Sequence, residues 1–330
     1  MRAEPGRPGS STLEGAAHIA VETCLGVRPG EEVLVVADSL RPRTVPEALI
    51  AAATGAGADA VLAVFTARER SPSEPPVSVT EAMCRADAAI LYTSASLSHS
   101  QARIRAQEAR TRIISAPGLS EDGFVRTLSV DVPRLADLTV RVADAVANSR
   151  NVLLRTPAGT DMRMELRYPV TAADGLCRTP GDLDFFPPGL ILSVPIAGSA
   201  TGVAIVDGAI THIGRLTTPV AVEFREGKAV TIRGGQEADR LRRMLADLDD
   251  PNVYEFAAWG MGTNPGAALV GAEPSFEGER VYGWAHVSTG SNAAFPGGTV
   301  RAPLHLDLIL KDPVVTLDGR VVLENGTFHL

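Results

Sequence analysis

The chain has 330 residues, 45% of them hydrophobic, and its 39 acidic residues outnumber its 31 lysines and arginines, which gives a net charge of −8. A chain of this length buries a large core, usually as two domains, and its acidic balance disfavours nucleic acid or an anionic membrane as the main partner, because both bind clustered cationic surfaces. No apolar run is long enough to cross a membrane, and residues 1–11 are a flexible Pro/Gly/Ser-rich tail without the features of a secretion signal, so we expect a cytoplasmic protein.

Residues 12–149 alternate helical segments with short runs of β-branched residues. The predicted helices lie near 12–27, 44–56, 78–86, 99–109 and 131–148. The predicted strands lie at 31–38, 58–65, 86–93 and 111–117. Because strand and helix alternate, consecutive strands are joined by parallel crossovers. We therefore predict an N-terminal domain built on an open parallel α/β sheet with helices on both faces.

From Asn151 onward the sequence changes to strands separated by turn signals such as EGK and DG. One further helix is predicted at 237–248, after which the pattern returns to strands. This arrangement is typical of a β-rich α+β domain. The predicted fold class is therefore α/β, with an α/β domain at 12–149 followed by a β-rich, metal-binding domain at 150–330.

The cysteines restrict the chemistry of any metal site. Cys24, Cys84 and Cys177 are odd in number, far apart and not part of a CxxC pair. A disulfide framework and a cysteine zinc site are both disfavoured by this pattern. A metal site in this chain would therefore be built from nitrogen and oxygen ligands.

The run PLHLDLIL contains the strongest local signal for a metal site. His305 and Asp307 are one residue apart on a predicted strand, so their side chains share a face, whereas the opposite face is apolar and consists of Leu304, Leu306 and Leu308. An H-x-D pair is the local half of a site with two histidines and one carboxylate, as found in non-haem Fe(II) oxygenases. The alternative is a structural hydrogen bond between a histidine and a neighbouring aspartate.

His286 supplies the third ligand of this predicted site. It lies on another predicted strand, in YGWAHVSTGSN, and a loop rich in Gly, Ser and Asn follows it. Such a loop packs poorly in a core and is typical of the backbone that opens a pocket beside a ligand. We therefore predict that His286, His305 and Asp307 bind one metal ion.

The best candidate for a catalytic residue in the N-terminal domain is His99. It follows the strand at 86–93, and ligands bind at the carboxyl ends of strands in open α/β sheets. We expect it to face the metal and to act as an acid/base or substrate-orienting residue; the alternative is an exposed residue at a helix start. Asp184 and Glu255 are weaker catalytic candidates, each with a structural alternative. The remaining histidines are interpreted as structural or exposed: His18, His212 and His329.

Several motifs between Gly260 and Gly319 together resemble a known superfamily. They are, in order, G-x-G-x-N-P, H-x-x-x-G-x-N, G-G, H-x-D and V-x-x-D-G. This order is similar to the superfamily that joins metallo-aminopeptidases of the aminopeptidase T type with 2,5-dihydroxypyridine 5,6-dioxygenases, and the segments LSHSQAR, RIISAPG and PGDLDFFPPG fit the dioxygenase branch better. The resemblance implies an N-terminal α/β domain, a β-rich C-terminal domain that holds the metal, and a homo-oligomer.

Departures from the superfamily pattern separate the two branches. The resemblance places the additional two glutamates and tyrosine of the two-metal aminopeptidases at Leu190, Ala258 and Ala293, so a second dication lacks oxygen donors in this chain. The first histidine of the dioxygenases also falls at Ala258, and the implied mononuclear site keeps His286 instead. A further family histidine falls at Phe185, which argues against dihydroxypyridine itself as the substrate.

Together these features predict a mononuclear metalloenzyme, a ring-cleaving oxygenase that acts on a small cyclic or aromatic substrate with dioxygen. The ligand set suits Fe(II), and zinc or another divalent metal is the alternative. Two other functions remain open: an aminopeptidase-like metallo-hydrolase, and a non-enzymatic small-molecule-binding protein that has lost its metal.

Overall fold

A computed structural model of the chain describes residues 11–68, 74–270 and 277–330. The predicted tail at 1–11 lies outside these residues except for Ser11. The predicted fold class is confirmed, because a parallel α/β sheet occurs together with a larger antiparallel β-rich region. Among the helices of the described ranges, none has the length and apolar character needed to span a membrane.

Strands and helices alternate in the first part of the chain, and strands dominate the rest. In chain order, the strands of the described ranges are β1 (Glu32–Asp38), β2 (Asp59–Phe65), β3 (Ala88–Tyr92), β4 (Arg112–Ser115), β5 (Asn151–Arg155), β6 (Asp161–Glu165), β7 (Thr171–Ala173), β8 (Leu183–Phe185), β9 (Leu190–Ser193), β10 (Thr201–Val206), β11 (Ala209–Ile210), β12 (Gly214–Arg215), β13 (Val220–Arg225), β14 (Lys228–Arg233), β15 (Phe256–Gly262), β16 (Ala285–Gly290), β17 (His305–Leu310), β18 (Val314–Leu317), β19 (Arg320–Glu324) and β20 (Thr327–Phe328). The α-helices are α1 (Leu13–His18), α2 (Thr44–Gly55), α3 (Val77–Met83), α4 (Gln101–Glu108), α5 (Glu121–Leu128), α6 (Val132–Ala147) and α7 (Gln236–Ala246). A π-helical segment and two 3₁₀ turns complete the helical structure of these ranges: Ile19–Cys24, Pro251–Tyr254 and Gly278–Arg280.

The chain forms two compact units, which we describe separately. The first comprises the described residues of 1–136 together with 173–188, and the second comprises those of 137–172 and 189–330. Residues 173–188 return to the first unit because β8 pairs with β4 as a parallel strand. The two units therefore do not follow one chain boundary, and a division into domains at 149–150 stays a prediction.

The first unit is built on a parallel sheet with the strand order β2-β1-β3-β4-β8. Strands β3 and β4 are buried along their whole length, and β1 is buried except at its first residue. Complete burial is typical of parallel strands that have helices on both faces, which explains why the central residues of these strands are apolar. The four strands predicted for this region are all observed, with ends within two residues of the prediction.

The helical structure of the first unit differs from the prediction in two places. The helix predicted at 12–27 is observed as α1 followed by the π-helical segment, in which the Leu25 N–H reaches the Ala20 carbonyl at 3.0 Å. Helix α5 was not predicted, although Ser120 caps it by accepting the Gly123 N–H at 3.0 Å and Phe124 is fully buried. Glycine in its first turn lowers the helix propensity of this segment, whereas the serine cap and the acidic residues of that turn are a helix-start signal.

The second unit contains two sheets. The eight-stranded sheet has the order β14-β13-β10-β6-β5-β18-β19-β20, and the seven-stranded sheet, which we call the site sheet, has the order β12-β11-β17-β16-β15-β9-β7. The predicted EGK turn joins β13 to β14, where Glu226 and Gly227 have φ values of 49° and 75°. Two consecutive positive φ values are the conformation that closes a tight two-residue hairpin.

One hydrophobic core takes side chains from both sheets of the second unit. The eight-stranded sheet contributes Leu154 and Met162, and the site sheet contributes Trp259, Val287 and Leu308. Because alternate residues of a strand point to opposite faces, these apolar positions leave the other face of the site sheet to a different set of side chains.

Candidate metal centre

The strands β16 and β17 place four polar side chains on one face of the site sheet. Ser288 of β16 is directly opposite Asp307 of β17. His286 lies two residues before Ser288, and His305 lies two residues before Asp307, so all four residues share this face. The intervening residues are buried in the hydrophobic core: Val287, Leu306 and Leu308. The period-two pattern of the sequence therefore places the three predicted metal ligands on one face, with His305 Nε2 3.2 Å from Asp307 Oδ1.

A glycine on the neighbouring strand makes space for one of these histidines. Gly260 of β15 is opposite His286, and a Cβ atom at this position would lie 2.4 Å from His286 Cε1. The same Cβ would also lie 2.0 Å from the carbonyl oxygen of Ile191. Any side chain at residue 260 would thus displace both the imidazole and strand β9, which gives the first glycine of the G-x-G motif a physical reason.

Asp307 is held by hydrogen bonds on both sides of its strand. Its Oδ1 accepts the Ser288 hydroxyl at 2.6 Å and lies 3.2 Å from His305 Nε2, and the Thr211 hydroxyl lies 3.4 Å from its Oδ2. Burial alone would raise the pKa of Asp307, but the neighbouring His305 and the hydrogen bonds outweigh burial and hold it well below its usual range. Asp307 is therefore an oriented carboxylate at neutral pH.

The second nitrogen of His305 fixes the orientation of its ring. His305 Nδ1 lies 2.7 Å from the carbonyl oxygen of Ser291, which only accepts hydrogen bonds, so Nδ1 carries the proton. Nε2 then faces Asp307, and the ring of Phe295 packs against the imidazole with 5.4 Å between centroids. A backbone carbonyl that orients the ring through its other nitrogen is a common feature of histidine metal ligands.

His286 is fully buried, and both of its ring nitrogens lack a hydrogen-bond partner among the described residues. Burial lowers the pKa of His286 to about 4, with the Asp307 carboxylate opposing this effect, so the ring is neutral at physiological pH. A buried polar group without a partner costs free energy, typically about 1–3 kcal/mol. A metal ion would coordinate one of these nitrogens, so this histidine fits the metal ion that the sequence predicts.

A carboxylate that the sequence motifs do not single out completes the cluster. This carboxylate belongs to Glu279, in the 3₁₀ turn at 278–280. One of its oxygens, one ring nitrogen of His286 and one oxygen of Asp307 all lie within 4.8 Å of one another. Burial raises the pKa of Glu279 to about 7, and its ion pair with Arg280 opposes this shift. Among the described residues, Glu279, His286 and Asp307 form a group that could hold a metal ion, and the predicted ligand His305 is not part of that group.

His99 lies in the first unit, in the loop between β3 and α4, and its side chain is exposed. The same loop is tied to the carboxyl end of β1, because Asp38 Oδ2 accepts both the backbone N–H and the hydroxyl of Ser94 at 2.6 Å. The next residue, Ser100, caps α4. His99 thus occupies the sheet edge that the sequence predicts, and its catalytic role stays a prediction.

The other two candidate catalytic carboxylates make structural contacts. Asp184 is buried in the first unit and accepts the N–H groups of Gly175 and Phe185 at 2.8 and 2.6 Å, while burial raises its pKa well above the usual value. Glu255 precedes β15 and forms an ion pair with Lys228, with 3.1 Å between Oε1 and Nζ. These contacts support the structural interpretation of each residue; their catalytic roles stay predictions.

The positions at which the resemblance implies further ligands hold apolar side chains. Ala258 is opposite Ser288 on the site face, Leu190 is buried opposite Gly262 in β9, and Ala293 follows β16 in a loop. None of these three side chains has a donor atom. This arrangement supports one metal ion rather than two.

The ion pair between His305 and Asp307 predicts how the metal-free protein responds to pH. Burial lowers the pKa of His305, but Asp307 and the Ser291 carbonyl outweigh burial and raise it from 6.5 to about 9. A raised histidine pKa contributes stability that is complete below pH 6.5 and is lost as pH rises through 9.

We expect the free energy of unfolding, measured in urea with a chelator present, to fall over this pH interval. Asp307→Asn should remove most of that fall, whereas Asp318→Asn should retain it; equal slopes in all three proteins would contradict the assigned pair.

Comparison with known proteins matches most of the chain to one family. The model for "NicX: 2,5-dihydroxypyridine 5,6-dioxygenase" matches residues 17–330. A curated 2,5-dihydroxypyridine 5,6-dioxygenase of Pseudomonas putida KT2440 is 29% identical over 194 residues, and the match covers 54% of this chain and 54% of that protein. The aligned region thus spans about half the length of this relative.

Two solved structures have the same fold over nearly the whole chain. The 2,5-dihydroxypyridine dioxygenase of P. putida KT2440 has a TM-score of 0.82 at 22% sequence identity and covers 98% of both chains. Wild-type AmpT from Thermus thermophilus has a TM-score of 0.67 at 17% identity and covers 96% of this chain and 99% of its own. At these identities the similarity concerns the fold.

Proposed function

Since the chain belongs to the 2,5-dihydroxypyridine 5,6-dioxygenase family, whose model covers residues 17–330, we propose that it is a mononuclear Fe(II)-dependent dioxygenase that cleaves the ring of a small cyclic or aromatic substrate. The observation that carries this proposal is His286, whose two buried nitrogens have no hydrogen-bond partner among the described residues and which lies beside Asp307. The proposed ligands are His286, His305 and Asp307, the two-histidine, one-carboxylate set typical of oxygenases. Zinc or another divalent metal is the alternative.

The residues around the metal have separate proposed roles. Bound Fe(II) would supply the redox chemistry by which dioxygen reacts with an electron-rich ring. Ser288 keeps the Asp307 carboxylate in one orientation, and the Ser291 carbonyl keeps the His305 ring in the tautomer that presents Nε2. His99 is the proposed acid/base or substrate-orienting residue, because a histidine titrates near neutral pH.

The substrate class follows from the family and from its departures in this chain. We propose a hydroxylated six-membered ring, carbocyclic or nitrogen-containing, because adjacent or opposed hydroxyl groups make such rings electron-rich. The resemblance places a family histidine at Phe185, and we propose that this difference selects a substrate other than 2,5-dihydroxypyridine. The expected partners are the small molecule, dioxygen and further copies of this chain, in the cytoplasm.

Oxygen dependence tests the proposed reaction class. The Fe(II)-loaded protein should consume dioxygen with a hydroxylated aromatic substrate and should not hydrolyse leucyl amide with any divalent metal. The hydrolase needs two metal ions, for which the positions of Leu190, Ala258 and Ala293 offer no ligands. An oxygen electrode and an amide-hydrolysis assay under strict anaerobiosis separate the two reactions. Turnover of leucyl amide without dioxygen would replace the oxygenase by the hydrolase.

A further inference from the structure

The 3₁₀ turn at 278–280 brings a buried carboxylate to the proposed metal centre. The side chain of Glu279 is 10% exposed. One of its oxygens lies within 4.8 Å of the nearest ligand atoms of both His286 and Asp307. This distance is short enough for one ion between them to contact all three side chains. Glu279 is therefore placed as a metal ligand would be.

Contacts of the backbone hold in place the turn that carries Glu279. The Asn264 N–H donates to the Arg280 carbonyl at 3.0 Å, which ties the turn to the residues that follow β15. At Gly262 a Cβ atom would lie 2.3 Å from the Val281 carbonyl oxygen, so glycine is needed for this close approach. The second glycine of the G-x-G motif thus serves to dock the turn that carries Glu279.

The charges around Glu279 favour a bound cation. Two buried carboxylates, those of Glu279 and Asp307, lie close together, and like charges in a buried site repel each other strongly. Arg280 pairs with Glu279, and Asp307 has His305 and the Ser288 hydroxyl as neighbours. His286, in the same group, has two ring nitrogens without hydrogen bonds among the described residues. A divalent cation would bind all three groups.

We propose that Glu279 is a direct ligand of the metal, so that the centre contains two carboxylates as well as its histidines. This inference rests on the proposed function, because it adds a ligand to the same metal site. With His286, His305 and Asp307 it would give four protein donors. Four protein donors close the tetrahedral shell of zinc, whereas a six-coordinate ion such as Fe(II) keeps positions for substrate. With Glu279 as a ligand, the proposed oxygenase reaction would therefore require iron rather than four-coordinate zinc.

Cobalt substitution tests this ligand without relying on enzyme activity. The metal-free protein is titrated with Co(II) under argon, and affinity and the visible d–d absorption spectrum are recorded for wild type, Glu279→Gln and the control Glu277→Gln. Glu277 is a suitable control because it is also buried, lies two residues away and is outside the ligand group. Glu279→Gln should weaken Co(II) binding by about 10- to 100-fold and change the spectrum, whereas Glu277→Gln should do neither.

Three outcomes separate this inference from the function on which it rests. A changed spectrum and weakened binding in Glu279→Gln alone support Glu279 as a ligand. Wild-type affinity and spectrum in Glu279→Gln, with binding lost in Asp307→Asn, leave the metal centre intact and overturn the role of Glu279. Absence of Co(II) and Fe(II) binding in the wild type overturns both proposals.

A second variant covers the case in which Glu279→Gln does not fold, since this substitution removes the ion pair between Glu279 and buried Arg280. Glu279→Asp keeps the negative charge next to Arg280 and withdraws the carboxylate by one methylene group. A direct ligand predicts a changed Co(II) spectrum for this variant, because the donor atom moves. An unchanged spectrum would show that Glu279 serves only its ion pair with Arg280.

Discussion

Asp307→Asn should lose metal binding and turnover while the chain remains folded. Asparagine has nearly the same shape, but its neutral amide is a poor metal ligand, and it leaves His305 without the carboxylate that lies 3.2 Å from Nε2. Loss of this ligand should weaken metal affinity by at least about 100-fold and reduce oxygen uptake to background. Metal titration, oxygen uptake and circular dichroism of the same sample measure the three properties.

The matched control for this variant is Asp318→Asn. Asp318 belongs to the same unit, but it is exposed in the turn between β18 and β19 and accepts the backbone N–H groups of Arg150 and Asn151. Its replacement should alter stability slightly and leave metal content and turnover unchanged. Wild-type metal affinity in Asp307→Asn would remove this carboxylate from the ligand set.

His99→Ala should lose turnover but keep its metal, unlike Asp307→Asn, which should lose both. His99 lies at the carboxyl edge of the parallel sheet, where open α/β folds bind their ligands. If His99 acts as an acid or base, kcat should fall by roughly 10²–10⁴-fold, and the limb of the pH–rate profile due to this group should disappear. Metal content should equal that of the wild type, because the proposed ligands all belong to the second unit.

His18→Ala is the control for an exposed histidine in the first unit. His18 ends α1 and lies 3.1 Å from Glu22, an exposed surface pair of little energetic value. Its replacement should change neither the rate nor the pH profile. If His99→Ala behaves in the same way, His99 is a surface residue at a helix start, and the acid/base group of the reaction is a different residue.

The proposed ligands on the strands were predictable because they follow a short-range rule. Alternation along β17 places His305 and Asp307 on one face whichever strand pairs with it. That His286 lies close to Asp307 depends on the register between β16 and β17, where Ser288 pairs with Asp307. The apolar run of each strand restricts this register, since a shift by one residue would turn the leucines away from the core.

Glu279 could not be predicted in this way because no local pattern places it at the site. It lies in a three-residue 3₁₀ turn, and its position depends on hydrogen bonds to residues that follow β15. The sequence signal was indirect: the glycines at 260 and 262 required close approach of other groups, but did not identify them. One of those groups is His286 and the other is the backbone of the turn that carries Glu279.

The fold was predicted best where long-range contacts mattered least. Strands β1 to β4 follow from short runs rich in apolar residues between helices, whereas β8 has only the three residues Leu183–Phe185 and joins the first sheet after a long excursion of the chain. Such a strand is defined by its pairing with β4 rather than by its own composition. The superfamily resemblance, and its closer relation to the dioxygenase branch, are confirmed by the family match.

Metal analysis of protein purified under anaerobic conditions tests the central proposal most directly. The proposed centre predicts about one iron per chain in the wild type and none in His286→Ala, because His286 has no other partner for its buried nitrogens among the described residues. About two divalent ions per chain would indicate the dinuclear hydrolase. A folded wild-type protein that binds no divalent metal, even when Fe(II) is supplied in excess, would contradict the account.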